Sequence, residues 1–175
     1  MKIIRFDELK AVPWKNGLGI TRELAVEPPG ASMDTFAWRV SIADVDTASP
    51  FSTFAGIDRT IVLLEGDGFT MVLDGEREHA LTTPCAPFAF PGEATVDVRL
   101  AGGATRDFNL MVRRGMGAAR LTVLHGPGEF EGVAIAYIAE GNGTADGEPV
   151  TKGDSIFDAG RLTLTANTQA IAIHL

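Results

Sequence analysis

Turn signals interrupt this chain throughout, and nowhere between them is a helical periodicity sustained for long. "NG", "PPG", "EGDG", "LDGE", "FPGE", "AGG", "GPGEFEG", "EGNG", "ADGE", "KGD" and "DAG" follow one another from Asn16 to Gly160. Between them lie alternating or wholly apolar runs such as "FAWRVSIADV", "RTIVLLEG", "FTMVLDG", "ATVDVRL", "FNLMVRR", "VAIAYIAEG" and "RLTLTANTQAIAIHL". Apolar runs of this length, bounded by glycine and proline, are strands. The expected fold class is therefore all-β, with "FDELKAV" near the start as a short helical turn or a strand lead-in.

A weak internal repeat aligns Arg59 to Leu100 with Val133 to Leu175, each half reading strand, Glu-Gly turn, strand, glycine turn, strand. Two such units suggest two small antiparallel barrels or jelly rolls packed together, a bicupin arrangement. The alternative is that any glycine-rich β protein shows such echoes. A chain of 175 residues suits one bicupin-like unit over 1–175, with approximate halves 1–115 and 116–175 and room for strands shared between them.

Composition then narrows the partners. With 15 basic against 23 acidic residues and a net charge of -8, the surface repels phosphate backbones, and no Lys/Arg run provides an exception. No nucleic-acid partner is expected. "MKIIRFDELK" lacks the apolar core of a signal peptide and no run is long enough to span a bilayer, so the expected place is the cytoplasm, with no membrane partner. Cys85 is the only cysteine, and "TPCAPF" brings no His or Lys to activate it, so it reads as a small buried residue. His79, His125 and His174 are scattered and cannot form the usual cupin metal site. Neither a metal nor a cofactor is expected, and no nucleophile elbow or phosphate loop is present.

Strand alternation sorts the remaining polar residues by face. In "ITRELAV" it sets Ile20, Arg22, Leu24 and Val26 against Thr21, Glu23 and Ala25. In "FAWRVSIADV" it sets Phe36, Trp38, Val40 and Ile42 against Ala37, Arg39, Ser41 and Ala43. The second set combines small residues with one guanidinium, which suits a cavity that receives a carboxylate through two parallel hydrogen bonds. The alternative is a solvent-facing strand on which Arg39 pairs with Glu23. Asp58 and Arg59 precede a strongly apolar run and so stand at a barrel mouth, Asp58 as the cap of the turn after Gly56. Asp107 and Asn109 share a face with Met111, as pocket groups or as polar residues of an edge strand.

The ordered set "WKNGLGITREL", "FAWRVSIADV", "SPFSTFAGIDRTIVLLEG" and "RDFNLMVRRG" resembles the HutD/Ves family over Trp14 to about Arg114. That resemblance implies a bicupin without the usual metal ligands. It also implies a regulatory role in histidine utilisation, through a bound small carboxylate of the N-formylglutamate or urocanate class. Its polar set falls on Trp14, Asn16, Thr21, Glu23, Arg39 and Ser41 in the first half of the match. It continues through Phe51, Ser52, Asp58, Arg59, Asp107 and Asn109. Of these twelve, all but Asp58 and Asp107 are expected to bind the ligand. A binding protein is expected rather than an enzyme, with room for a homodimer. Two alternatives are an acid/base enzyme using Glu23, which neighbouring arginines would make a weak base, and an interaction protein whose polar cluster only fastens strands.

Overall fold

Short alternating runs become strands throughout the computed structural model, which describes residues 1–14 and 17–175; every count refers to those residues. In chain order the elements begin with β1 (Lys2–Ile4), a single 3-10 turn at Phe6–Glu8, β2 (Ala11–Pro13), β3 (Gly19–Glu27) and β4 (Trp38–Val45). They continue with β5 (Ile57–Glu65), β6 (Phe69–Leu73), β7 (Arg77–Leu81), β8 (Pro87–Pro91), β9 (Val96–Leu100) and β10 (Thr105–Arg113). The remainder are β11 (Arg120–His125), β12 (Gly128–Phe130), β13 (Ile135–Glu140), β14 (Asn142–Ala145), β15 (Glu148–Thr151), β16 (Ser155–Phe157), β17 (Leu162–Leu164) and β18 (Gln169–His174). All pairings are antiparallel, as the all-β reading requires.

The chain divides into two units, one of Lys10–Gly117 and one of Met1–Leu9 with Ala118–Leu175. The first holds a six-stranded sheet in the order β2-β3-β4-β10-β5-β8 and a three-stranded sheet β7-β6-β9. Its core joins the two sheets: Val45, Ile61 and Leu63 from the larger pack with Phe69, Met71, Leu73, Val96 and Val98 from the smaller. The tight turn between β5 and β6 depends on Gly68, at φ +76°, where any Cβ would lie 2.0 Å from the Leu81 carbonyl oxygen.

The second unit holds a five-stranded sheet β1-β16-β13-β18-β11 and a four-stranded sheet β12-β17-β14-β15. Its first strand comes from the chain's own start, since Ile3 pairs with Ile156. Ala136, Ile138, Ala170 and Ala172 pack with Ala145, Val150, Leu162 and Leu164 to fill the space between its sheets.

Two expectations about facing are corrected. The β3–β4 register shifts between Glu23 and Ala25, so Leu24 is an extra residue and Val26 pairs with Arg39 rather than sharing a face with Ile20 and Arg22. Phe36 precedes β4 rather than belonging to it, and packs with Ile57 and Met111, not with the Val40 and Ile42 face.

Candidate functional site

The sheet of the first unit positions functional groups in rows, because residues paired across antiparallel strands point to the same face. One row runs Thr21, Ala43, Asp107, Leu63; the next, Glu23, Ser41, Asn109, Ile61, Phe88; the third, Val26, Arg39, Met111, Arg59, Phe90. Over these rows opens a cavity of about 630 Å³. Val12, Pro13 and Trp14 border it from one side, with Met33, and Pro50, Phe51, Ser52 and Phe54 from another. Its floor includes Thr21, Arg39, Ser41, Ala43, Arg59, Asp107, Asn109 and Met111.

The polar groups are held in small separate sets rather than joined into one network. Trp14 Nε1 donates to Thr21 Oγ1 at 2.7 Å, fixing the indole at the rim. Arg39 Nε donates to Glu23 Oε2 at 2.8 Å, and its Nη1 to Ser41 Oγ at 3.3 Å. Arg59 is 9% exposed and sits among three rings, 4.9 Å from the Phe90 centroid, 5.4 Å from Phe51 and 5.5 Å from Phe54. Its Nη1 donates to the Ser52 carbonyl at 3.3 Å, while its Nε is buried without a hydrogen bond. Burial pulls this guanidinium down to about 10, against the opposing charge of Asp107.

Asp107 lies 1% exposed on β10, at a second bulge, where the β5 register shifts between Arg106 and Asp107. Asn109 Nδ2 donates to its Oδ1, and its Oδ2 is buried with no partner. Burial pushes its carboxyl up to about 7; Asn109 and the charge of Arg59 oppose that rise, and Asp44 reinforces it. Asp44 itself belongs to the opposite face, bound to Arg22 at 2.5 Å and Arg106 at 2.6 Å. Burial raises its pKa, but those two arginines outweigh it and hold the carboxyl below its ordinary value.

Of the residues the sequence points to, Trp14, Thr21, Arg39, Ser41, Phe51, Ser52, Arg59 and Asn109 come together around the cavity. Glu23 pairs with Arg39, which itself lines the cavity rather than standing on a solvent-facing strand. Asn16 lies outside the described residues. Asp58 points away, paired with Arg114 at 2.6 Å, and the Gly56 amide is capped at 2.7 Å by Glu93 instead. Asp107, Met111, Phe54 and Met33 line the cavity although sequence reasoning did not assign them to the ligand. The signal for Asp107 is "DFNLMV", in which Asp107 and Asn109 share a face with Met111 while Phe108, Leu110 and Val112 form a wholly apolar one. Among the described residues no group of three or more His, Cys, Asp or Glu could hold a metal ion. Nor is any helix long and apolar enough to cross a membrane.

A cavity at the mouth of an antiparallel double sheet defines a cupin-like protein, and solved structures bear this out at the level of fold. A cupin 2 conserved barrel domain protein from Leptotrichia buccalis superposes with a TM-score of 0.62 at 10% identity, covering 99% of this chain and 96% of the other. The chain belongs to the HutD family, whose model matches residues 7–173. HutD from Pseudomonas fluorescens SBW25, solved in a formate condition, superposes with a TM-score of 0.85 at 31% identity, over 99% of this chain and 97% of that one. An uncharacterized 21.2 kDa protein in the hutC 3′ region of Pseudomonas putida is 44% identical over 111 residues, 63% of this chain and 57% of that protein. Protein Ves of Cronobacter sakazakii is 36% identical over 124 residues, 69% of this chain and 66% of the relative. These matches thus span a little over half to about two thirds of each curated relative's length.

Proposed function

We propose that this protein is a bicupin whose first unit binds a small carboxylate metabolite without a metal, and that it regulates histidine utilisation through that ligand. The observation that carries the reading is Arg59, buried in an aromatic cage with Nε unsatisfied and its cavity open. An uncompensated buried guanidinium is costly, and a carboxylate is its natural complement because both present two parallel hydrogen-bonding positions. Trp14, Phe51, Phe54 and Met111 supply the apolar wall that small-molecule sites generally have. The histidine-utilisation part is supported by the family match and by the relative named for a hutC 3′ region. Glu23 is disfavoured as a catalytic base because Arg39 engages it, and the reading therefore assigns the site to binding. N-formylglutamate and urocanate are the proposed ligand class, and a homodimer is compatible with the reading.

Thermal shift against N-formylglutamate, glutamate, urocanate and histidine tests the proposal. Saturation at about 100 times Kd should stabilise the fold by about 2.7 kcal/mol, a rise in Tm of about 5–10 °C for a chain of this size. Arg59→Lys and Arg39→Lys keep the charge but lose the planar fork, so each should lose most of the shift. No shift of wild type by any of the four at millimolar concentration would replace the reading with that of an interaction protein.

A further inference from the structure

Arg59 and Asp107 both line the cavity, and among the described residues each keeps one buried polar atom without a hydrogen bond, Nε and Oδ2. They belong to oppositely charged groups in one cavity, yet they do not pair. The sheet register separates them: Arg59 stands opposite Met111, whereas Asp107 stands opposite Leu63, two rows away on the same face. Arg59 is further held by its three rings and the Ser52 carbonyl, and Asp107 by Asn109. A buried carboxylate is normally surrounded by several donors, and Asp107 receives one. With one donor and no ion pair the neutral acid is the better-suited form, and its Oδ2 hydrogen then has no acceptor among the described residues.

We propose that Asp107 is a ligand-contacting residue that works as a hydrogen-bond donor: the ligand sets its carboxylate on Arg59 and an acceptor oxygen on protonated Asp107 Oδ2, so that each anion enters with a proton. The inference rests on the carboxylate reading above and adds a second pole to it. Burial places the Asp107 carboxyl near 7, and the Arg59 charge favours its ionisation. An anion on Arg59 cancels that support, so Asp107 takes up a proton on binding. Among the described residues no other facing charge replaces it. Arg39 on β4 is engaged with Glu23 on β3, β2 and β8 carry no titratable side chain, and Asp44 on β4 pushes the same way as burial. A ligand that instead gave an N–H to ionised Asp107 would reverse the sign.

Calorimetric titration with N-formylglutamate between about pH 6 and pH 8.5, in two buffers of different ionisation enthalpy, reads both affinity and protons exchanged. Wild type should lose about tenfold in affinity per pH unit above about 7 and take up close to one proton per ligand at the alkaline end. Asp107→Asn keeps an N–H donor but cannot ionise, so it should bind with no pH slope and no proton uptake. Asp107→Leu should lose binding throughout. Wild-type affinity that is flat or rises with pH, or proton uptake that persists in Asp107→Asn, overturns the role of Asp107 and leaves the carboxylate reading intact. If N-formylglutamate binds wild type at no pH, the inference falls, and the thermal-shift panel decides the carboxylate reading separately.

Discussion

Across the middle of its larger sheet, the unit Lys10–Gly117 presents Glu23, Ser41, Asn109, Ile61 and Phe88. The unit of Met1–Leu9 and Ala118–Leu175 presents Ile3, Ile156, Ala136, Ala172 and Thr122 in its corresponding central row. The same antiparallel frame thus carries a mostly polar row in one place and a mostly aliphatic row in the other. In the second unit the aliphatic groups meet those of the facing sheet, and each buried CH₂ contributes about 0.8 kcal/mol. In the first, side chains that could fill the space are replaced by polar groups bonded in small separate sets, and Arg59 and Asp107 keep orphaned atoms. The difference shows what an open cavity requires: its floor must forgo packing that the neighbouring fold accomplishes with alanine and isoleucine.

The largest test of that contrast lies in the filled unit. Ile138 is fully buried in its core, so Ile138→Ala should cost about 2–5 kcal/mol in urea denaturation. The Tm increment produced by a bound carboxylate should stay unchanged, and a changed increment would break the division of labour.

Next comes Asp107→Asn, which should stabilise. The folded carboxyl titrates near 7 and the unfolded one near 3.8, so the folded state holds the extra proton between them. Wild-type stability therefore falls as pH rises from about 4 to about 7, and the loss is complete above that window. At pH 8 the asparagine variant should gain about 2–4 kcal/mol, and below about pH 4 almost nothing. Paired denaturation curves at the two pH values check it; equal gains at both would mean that the ionised form is not what strains the fold.

The smallest of the three is Trp14→Ala at the rim. Its indole packs against the first unit's core and donates to Thr21, but it is only partly buried. It should cost about 1–2 kcal/mol, below the roughly 3–5 kcal/mol of a fully buried aromatic, while weakening carboxylate binding. Global unfolding of the variant, seen by circular dichroism, would move Trp14 from the cavity wall into the core.

Much of the cavity floor is legible in the sequence wherever strict alternation survives. "FAWRVSIADV" places Arg39, Ser41 and Ala43 on one face with no other information, and the structure turns that face toward the cavity. Alternation fails where an extra residue enters without a Gly or Pro to mark it, as at Leu24, so the new facing of Val26 is invisible in "ITRELAV". It also cannot say where a strand begins, which is why Phe36 is misplaced. Asp107 is legible as a polar residue in an apolar run. Its missing partner is not, because that depends on the register that sets Arg59 two rows away. The cap of Gly56 escapes for the same reason, since Glu93 is brought there by a strand pairing rather than by a nearby sequence position.

Leu24 is the residue of β3 that has no partner opposite, while Glu23 still faces Ser41 and Ala25 already faces Val40. Removing it would leave all other pairs in register and every side chain on its present side; the strand would lose its bend, not its orientation. Removing Arg22 instead would turn Gly19 to Thr21 over. Within this sheet, then, lineages can shorten the chain at Leu24 without everting the cavity, and a gap in related sequences is more tolerable there than one or two residues away.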